Sequence, residues 1–286
     1  MASMSDTLAT LTPQGVMKNM QEMGQQAMAQ MGLAKAGKQP NPNITSQVIR
    51  NAEDWSDVLM LLGHEALRVE IKEMEKVLPY VSNGTDWKVL TFCKWFRVYF
   101  GPFVKSHLEA EEDFLFAKLQ QSVQITEKIK NDHTAISKKV DEIIDVEEQY
   151  KLESDTHRQG KHVLVGKLVT MVNEVASMLK VNCMEEEQEL TPLIRRFLSK
   201  QDGDQIITQT FSSEGCLGAG VDLPPIMSAA GKWADGSQYS AIEKRIPFIQ
   251  KTLLNTFWMR DFESKNRGLL KQLSADSPPL SYYCGC

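Results

Sequence analysis

Between residues 92 and 114 an apolar stripe runs into charge: Phe92, Phe96, Phe100, Phe103, His107, Glu111, Phe114. Spacings of three and four place every member on one face of a helix. A face built of phenylalanines belongs against a core. An imidazole and a carboxylate one turn apart have no place there unless something occupies them. A buried charge left unpaired costs on the order of several kcal/mol, so such groups pair with one another or hold a metal ion. One His-x-x-x-Glu pair carries little weight alone. Its meaning depends on whether other helices bring donors to the same depth.

Three other stretches do. A helix over about 46–79 has the inner stripe Leu61, His64, Leu67, Ile71, Met74, Leu78 and stops at Pro79 and Ser82-Asn83-Gly84. The helix over about 87–119 carries His107 and Glu111, with a kink expected at Gly101-Pro102 because Pro102 cannot donate to the carbonyl of residue 98. A third, about 122–150, reads Ile125, Ile129, His133, Ile136, Val140, Ile143, and a fourth, about 161–199, reads Leu164, Leu168, Val172, Val175, Leu179, Asn182, Glu186, Leu190. Four long helices with short connections predict an all-α, up-down-up-down four-helix bundle. In that topology the second and fourth helices run parallel, so the C-terminal positions of His107, Glu111, Asn182 and Glu186 share a level with His64 and His133 on the antiparallel pair.

Around this core lie a Met-rich tail over 1–45, the bundle over 46–200, and 201–286. The last is expected to hold a Gly/Pro-rich connection (212–241), an accessory helix over about 241–272 and a flexible Cys284-Gly285-Cys286 tail. The aromatics Phe248, Phe257, Trp258 and Phe262 are expected to pack on the bundle. A net charge of −5 points away from nucleic acid, and no run of about 20 apolar residues predicts a membrane span. Cysteines in helical patterns, without a CxxC, suit a reducing, cytoplasmic setting. The tail over 1–45 is poor in acidic residues, as in an organellar transit peptide, but lacks arginine. No nucleophile–base pair, phosphate-binding loop or dinucleotide fingerprint is present, which argues against acyl- and phosphoryl-transfer enzymes.

Taken together, His64-Glu65-Ala66-Leu67-Arg68, His107-Leu108-Glu109-Ala110-Glu111-Glu112 before Phe116, Asp132-His133, and Glu185-Glu186-Glu187 running into Leu190-Thr191-Pro192-Leu193-Ile194 resemble the hemerythrin-like (HHE cation-binding) family. The resemblance spans about 50–200. It implies a bundle holding non-haem iron for O2 binding, iron or redox sensing, or iron handling. The ligands it implies are His64, His107, Glu111, His133 and Glu186. Two departures stand out. Asn182 takes the place of a family histidine, and His133 has Ile129 and Ser137 where respiratory hemerythrins carry a second histidine one turn away. Three imidazoles and two carboxylates suit two bridged irons, or a single iron, zinc or manganese ion. O2 or another redox-active small molecule is the implied partner. A metal-free helical interaction module that lost a ligand at Asn182 is the alternative, and a di-iron oxidase or peroxidase a third reading.

Overall fold

The computed structural model describes residues 40–83, 85–153, 158–213 and 215–278, and every regular element among them is helical. Residues 1–39, His157 and the Cys284-Gly285-Cys286 tail lie outside the described residues. Helix α1 spans Trp55–Ser82. It starts later than its sequence suggests because Asp54 caps it: the Asp54 carboxylate accepts from the Ser56 N–H, while Asp57 reaches back to the Asp54 N–H. Residues 41–54 therefore form an irregular strap rather than the first turns of a helix.

The second helix, α2, runs continuously over 86–119 but is not uniformly α-helical. Two π-turns, Phe96–Phe100 and Glu111–Phe116, interrupt the segments Asp86–Trp95, Gly101–Ala110 and Ala117–Leu119. The first π-turn precedes Gly101-Pro102, where the Gly101 N–H reaches back to the Phe96 carbonyl. The proline's missing donor is thus absorbed by a wider turn. The second shifts the register by one residue. The buried positions after Glu111 are Leu115 and Phe116, while Phe114, expected on the stripe, is only half-buried.

Helix α3 (Glu127–Leu152) and helix α4 (Arg158–Phe197) follow. α4 packs along both α1 and α3; α2 packs on α3 and on α1. The stripes of α1 and α3 are buried at every expected position, as is that of α4 from Leu168 to Leu190. By length and composition α4 is the one described helix that could cross a bilayer, but its apolar side lies against its neighbours.

The stretch 212–241, expected to be a connection, is helical. Helix α5 spans Lys200–Ser213, α6 Gly215–Trp233 and α7 Gly236–Glu243. α6 carries Pro224 and Pro225 internally and packs along α1, burying Leu223, Ile226, Met227, Ala230 and Trp233. Each internal proline costs about 3 kcal/mol, and each large apolar side chain removed from water returns about 1.5–3 kcal/mol, so burial outweighs the local cost. A final helical run, α8, covers 248–273 after Pro247 and rests on α1, α2 and α6. Its aromatics split. Phe262 is buried, but Phe248 is 84% and Phe257 52% exposed, against the expectation that they pack inward. Two more π-turns, Leu254–Trp258 and Phe262–Asn266, rotate the face that a regular helix would present.

Candidate metal centre

The five residues singled out from sequence converge. His64 comes from α1, His107 and Glu111 from α2, His133 from α3 and Glu186 from α4. Two sets of donors form, His64–His107–Glu111 and Glu111–His133–Glu186, each with its atoms within 4.8 Å of one another and with Glu111 common to both. His64 Nε2 lies 3.2 Å from Glu111 Oε1 and 3.3 Å from Glu186 Oε2. His133 Nε2 lies 2.8 Å from Glu186 Oε1 and 3.6 Å from Glu111 Oε2. His107 Nε2 stands 3.4 Å from Glu111 Oε2. Donors about 2.1 Å from one ion stand about 3 Å apart when adjacent and about 4 Å when opposite, which is the range seen here.

The outward sides of the rings are equally ordered. His64 Nδ1 is 2.9 Å from Glu187 Oε1 and His133 Nδ1 is 3.0 Å from Glu112 Oε1. With those nitrogens donating outward, each Nε2 faces the centre with its lone pair, the arrangement that orients metal-bound histidines. Phe116 stacks on the His133 ring at 5.2 Å between centroids, and the His64 and His107 rings meet edge to face at 5.4 Å. Glu112 remains at the surface, whereas Glu187 is buried. It accepts from Arg68 Nη2 at 2.8 Å and from the Ser46 hydroxyl. Glu65 completes this layer by accepting from the Thr45 N–H at 3.0 Å and the Ser46 N–H at 2.9 Å. The strap is thereby fastened over the α1–α4 seam. A signal for Glu187 existed in the sequence: Cys183, Glu187, Leu190 and Ile194 recur at spacings of four, three and four, and all are buried.

At the cluster, four buried polar atoms lack a hydrogen bond within the described residues: His107 Nε2, Glu111 Oε2, Asn182 Oδ1 and Glu186 Oε2. The histidine and glutamate atoms approach one another without hydrogen-bond geometry. An orphaned buried polar atom is costly, and four on one cluster match the donors a cation would take. The residues present therefore fit a metal ion. Asn182 turns its amide nitrogen to Glu186 Oε1 at 3.0 Å, leaving its oxygen as the orphan.

Without a cation the cluster shares its protons unequally. Burial opposes charge on His64, but the carboxylates of Glu111, Glu186 and Glu187 around it hold its pKa well above the ordinary histidine value. Burial also opposes charge on His133, where Glu186 and Glu111 win and raise it. At His107 burial prevails and lowers the pKa. Glu186 is held low against its burial by its hydrogen bond with His133 and by the close approach of His64. Burial pushes the Cys183 thiol up to about 12, so it is a neutral neighbour of the cluster at ordinary pH.

A family model, the hemerythrin HHE cation binding domain, matches residues 58–194. That stretch belongs to the hemerythrin HHE family. The HHE match runs from the first turn of α1 to the last turns of α4 and contains all five converging residues. Neither a curated protein nor a solved structure matches the chain.

Proposed function

We propose that the HHE domain is an up-down-up-down four-helix bundle that holds non-haem iron, serving O2 binding, iron or redox sensing, or iron handling. His64, His107 and Glu111 would hold one ion, and His133 and Glu186, with Glu111 common to both sets, would hold a second. Bound there, iron supplies reversible one-electron and O2 chemistry. The rest falls to the chain. Glu187 and Glu112 orient the imidazoles, the phenylalanine stripe of α2 keeps water out, and Arg68 balances the buried charge of Glu187. The observation that carries this reading is the set of orphaned, buried donor atoms on a cluster fed by all four helices. The protein works in a reducing, cytoplasmic setting, in keeping with the free, buried thiols of Cys93 and Cys183.

One observation favours a second reading. The Glu111–His133–Glu186 set holds a single imidazole, and the amide of Asn182 adds no nitrogen ligand. This side is the weaker, so a single ion bound by the His64 set, or a bundle kept as a metal-free interaction module, remains the competing outcome. Elemental analysis of protein reconstituted with ferrous iron and freed of excess separates them. Two irons per chain support the bridged centre and one supports the single site. Less than a tenth of an equivalent, with zinc and manganese equally excluded, leaves only the helical module.

A further inference from the structure

Beside the cluster lies a cavity of about 80 Å³. One wall is α2, with Ser106, His107 and Glu111. The opposite wall comes from outside the HHE match: Ile206 and Phe211 on α5, Leu223 and Ile226 on α6. The lining is mainly hydrocarbon, and its polar groups gather on few residues. Ser106 Oγ hydrogen-bonds Asp222 Oδ2 at 2.5 Å, joining α2 to α6 at the cavity. Ala110 and Ala219 keep the space open where larger residues would fill it.

We propose that the helices following the HHE domain complete a binding pocket for a short aliphatic molecule bearing one hydroxyl group. Its carbon chain packs on Ile206, Phe211, Leu223 and Ile226. Its hydroxyl donates to the α2 wall, where Ser106 Oγ, its own proton committed to Asp222, and the Glu111 carboxylate offer acceptors. Apolar walls with a few convergent polar groups are the usual make-up of a small-molecule site. Apolar space of about 150 Å³ accommodates benzene, so roughly half that volume suits a slim chain of about three to five heavy atoms. The inference deepens the cation-centre reading by giving that centre an organic neighbour, although the pocket walls themselves need no bound ion.

Methyl NMR of the full-length chain, titrated with 1-butanol before and after iron uptake, tests it. Saturable shifts confined to Leu59, Leu223 and Ile226 methyls are expected, and Ala219→Leu should weaken binding at least tenfold. Because that variant could distort α6, Leu223→Ala is the companion: it enlarges the space and should favour 1-hexanol over 1-butanol at least threefold relative to wild type. Shifts that stay linear in alcohol, that scatter over the surface, or that ignore both substitutions overturn the proposal. Butanol binding by a chain that takes up no iron leaves the pocket standing and removes the cation reading. Iron uptake without saturable butanol binding does the reverse.

Discussion

Asn182 sits where a nitrogen ligand would finish the second donor set. It is buried, its Nδ2 donates to Glu186 Oε1 and its Oδ1 has no partner. An imidazole is a better iron ligand than an amide oxygen. Asn182→His is therefore expected to tighten iron binding at least tenfold and move stoichiometry toward two per chain. Unchanged affinity in an equilibrium titration would place residue 182 outside the ligand shell. The neighbouring glutamates make a sharper contrast. Glu187 fixes His64 through Nδ1, and that hydrogen bond, with Arg68 and Ser46 beside it, lowers the carboxyl pKa from its ordinary value against its burial. Glu185, two residues away, only meets the exposed Lys128. Removing the partner that orients a liganding histidine costs about 10–100-fold in metal affinity. Glu187→Gln should show that loss by metal titration, and Glu185→Gln should bind as wild type. Equal effects would mean that Glu187 acts through general charge and not through His64.

At the scale of elements, α1 meets the His107 ring of α2 at Gly63. A Cβ there would lie 2.6 Å from His107 Nδ1 and 2.7 Å from its Cε1. Alanine inside a helix is favoured over glycine by about 1 kcal/mol, so propensity alone would make Gly63→Ala stabilising. The contact decides otherwise, since ring and Cβ cannot share that space. Gly63→Ala is expected to displace His107, lower the melting temperature and abolish binding at the His64–His107–Glu111 set. A variant as stable as wild type that still binds iron would refute this packing. The same paired elements explain what could be anticipated from sequence. α1 and α3 are regular helices, so a 3.6-residue period reported His64 and His133 correctly. α2 contains two π-turns, each adding a residue to a turn, and period counting drifted from the buried Leu115 and Phe116 to Phe114. His107 and Glu111 were unaffected because both lie between the two insertions or at the start of the second. Beyond residue 200, Pro224-Pro225 and the glycines of α6 signal a loop locally. Their helix exists through burial against α1, a long-range term that no window of sequence contains. The spacing of Cys183, Glu187, Leu190 and Ile194 marks Glu187 as buried, but not its role, because its partners Ser46, His64 and Arg68 lie far away in the chain.

At the scale of the molecule, the helices after residue 200 are joined to the bundle by buried polar ties as well as by apolar packing. Trp95 Nε1 donates to Asn266 Oδ1 at 2.8 Å, and Asn41 Nδ2 donates to the Trp233 carbonyl at 2.8 Å. The strongest tie is Arg267 to Glu70, with Nη1 2.8 Å from Oε2 and a second contact from Nη2 to Oε1. Glu70 is buried and the Arg267 side chain is 13% exposed, and burial raises the Glu70 pKa even with Arg267 beside it. Breaking such a pair strands a charge in the core, so Arg267→Met should cost about 3–5 kcal/mol. The sign of its pH dependence follows from the direction of that shift. A carboxyl whose folded pKa lies above its unfolded value favours the fold at pH below the unfolded value and loses that contribution as pH rises through the folded one. In Arg267→Met the shift grows, so the defect is full at neutral pH and shrinks as the solution is made acid. Glu70→Met with Arg267→Met removes both charges and should recover most of the loss. Urea midpoints of the three chains measured at pH 5 and pH 8 provide the check. A single and a double variant equally destabilised, with no relief at pH 5, would show that this tie works through shape and not through paired charge.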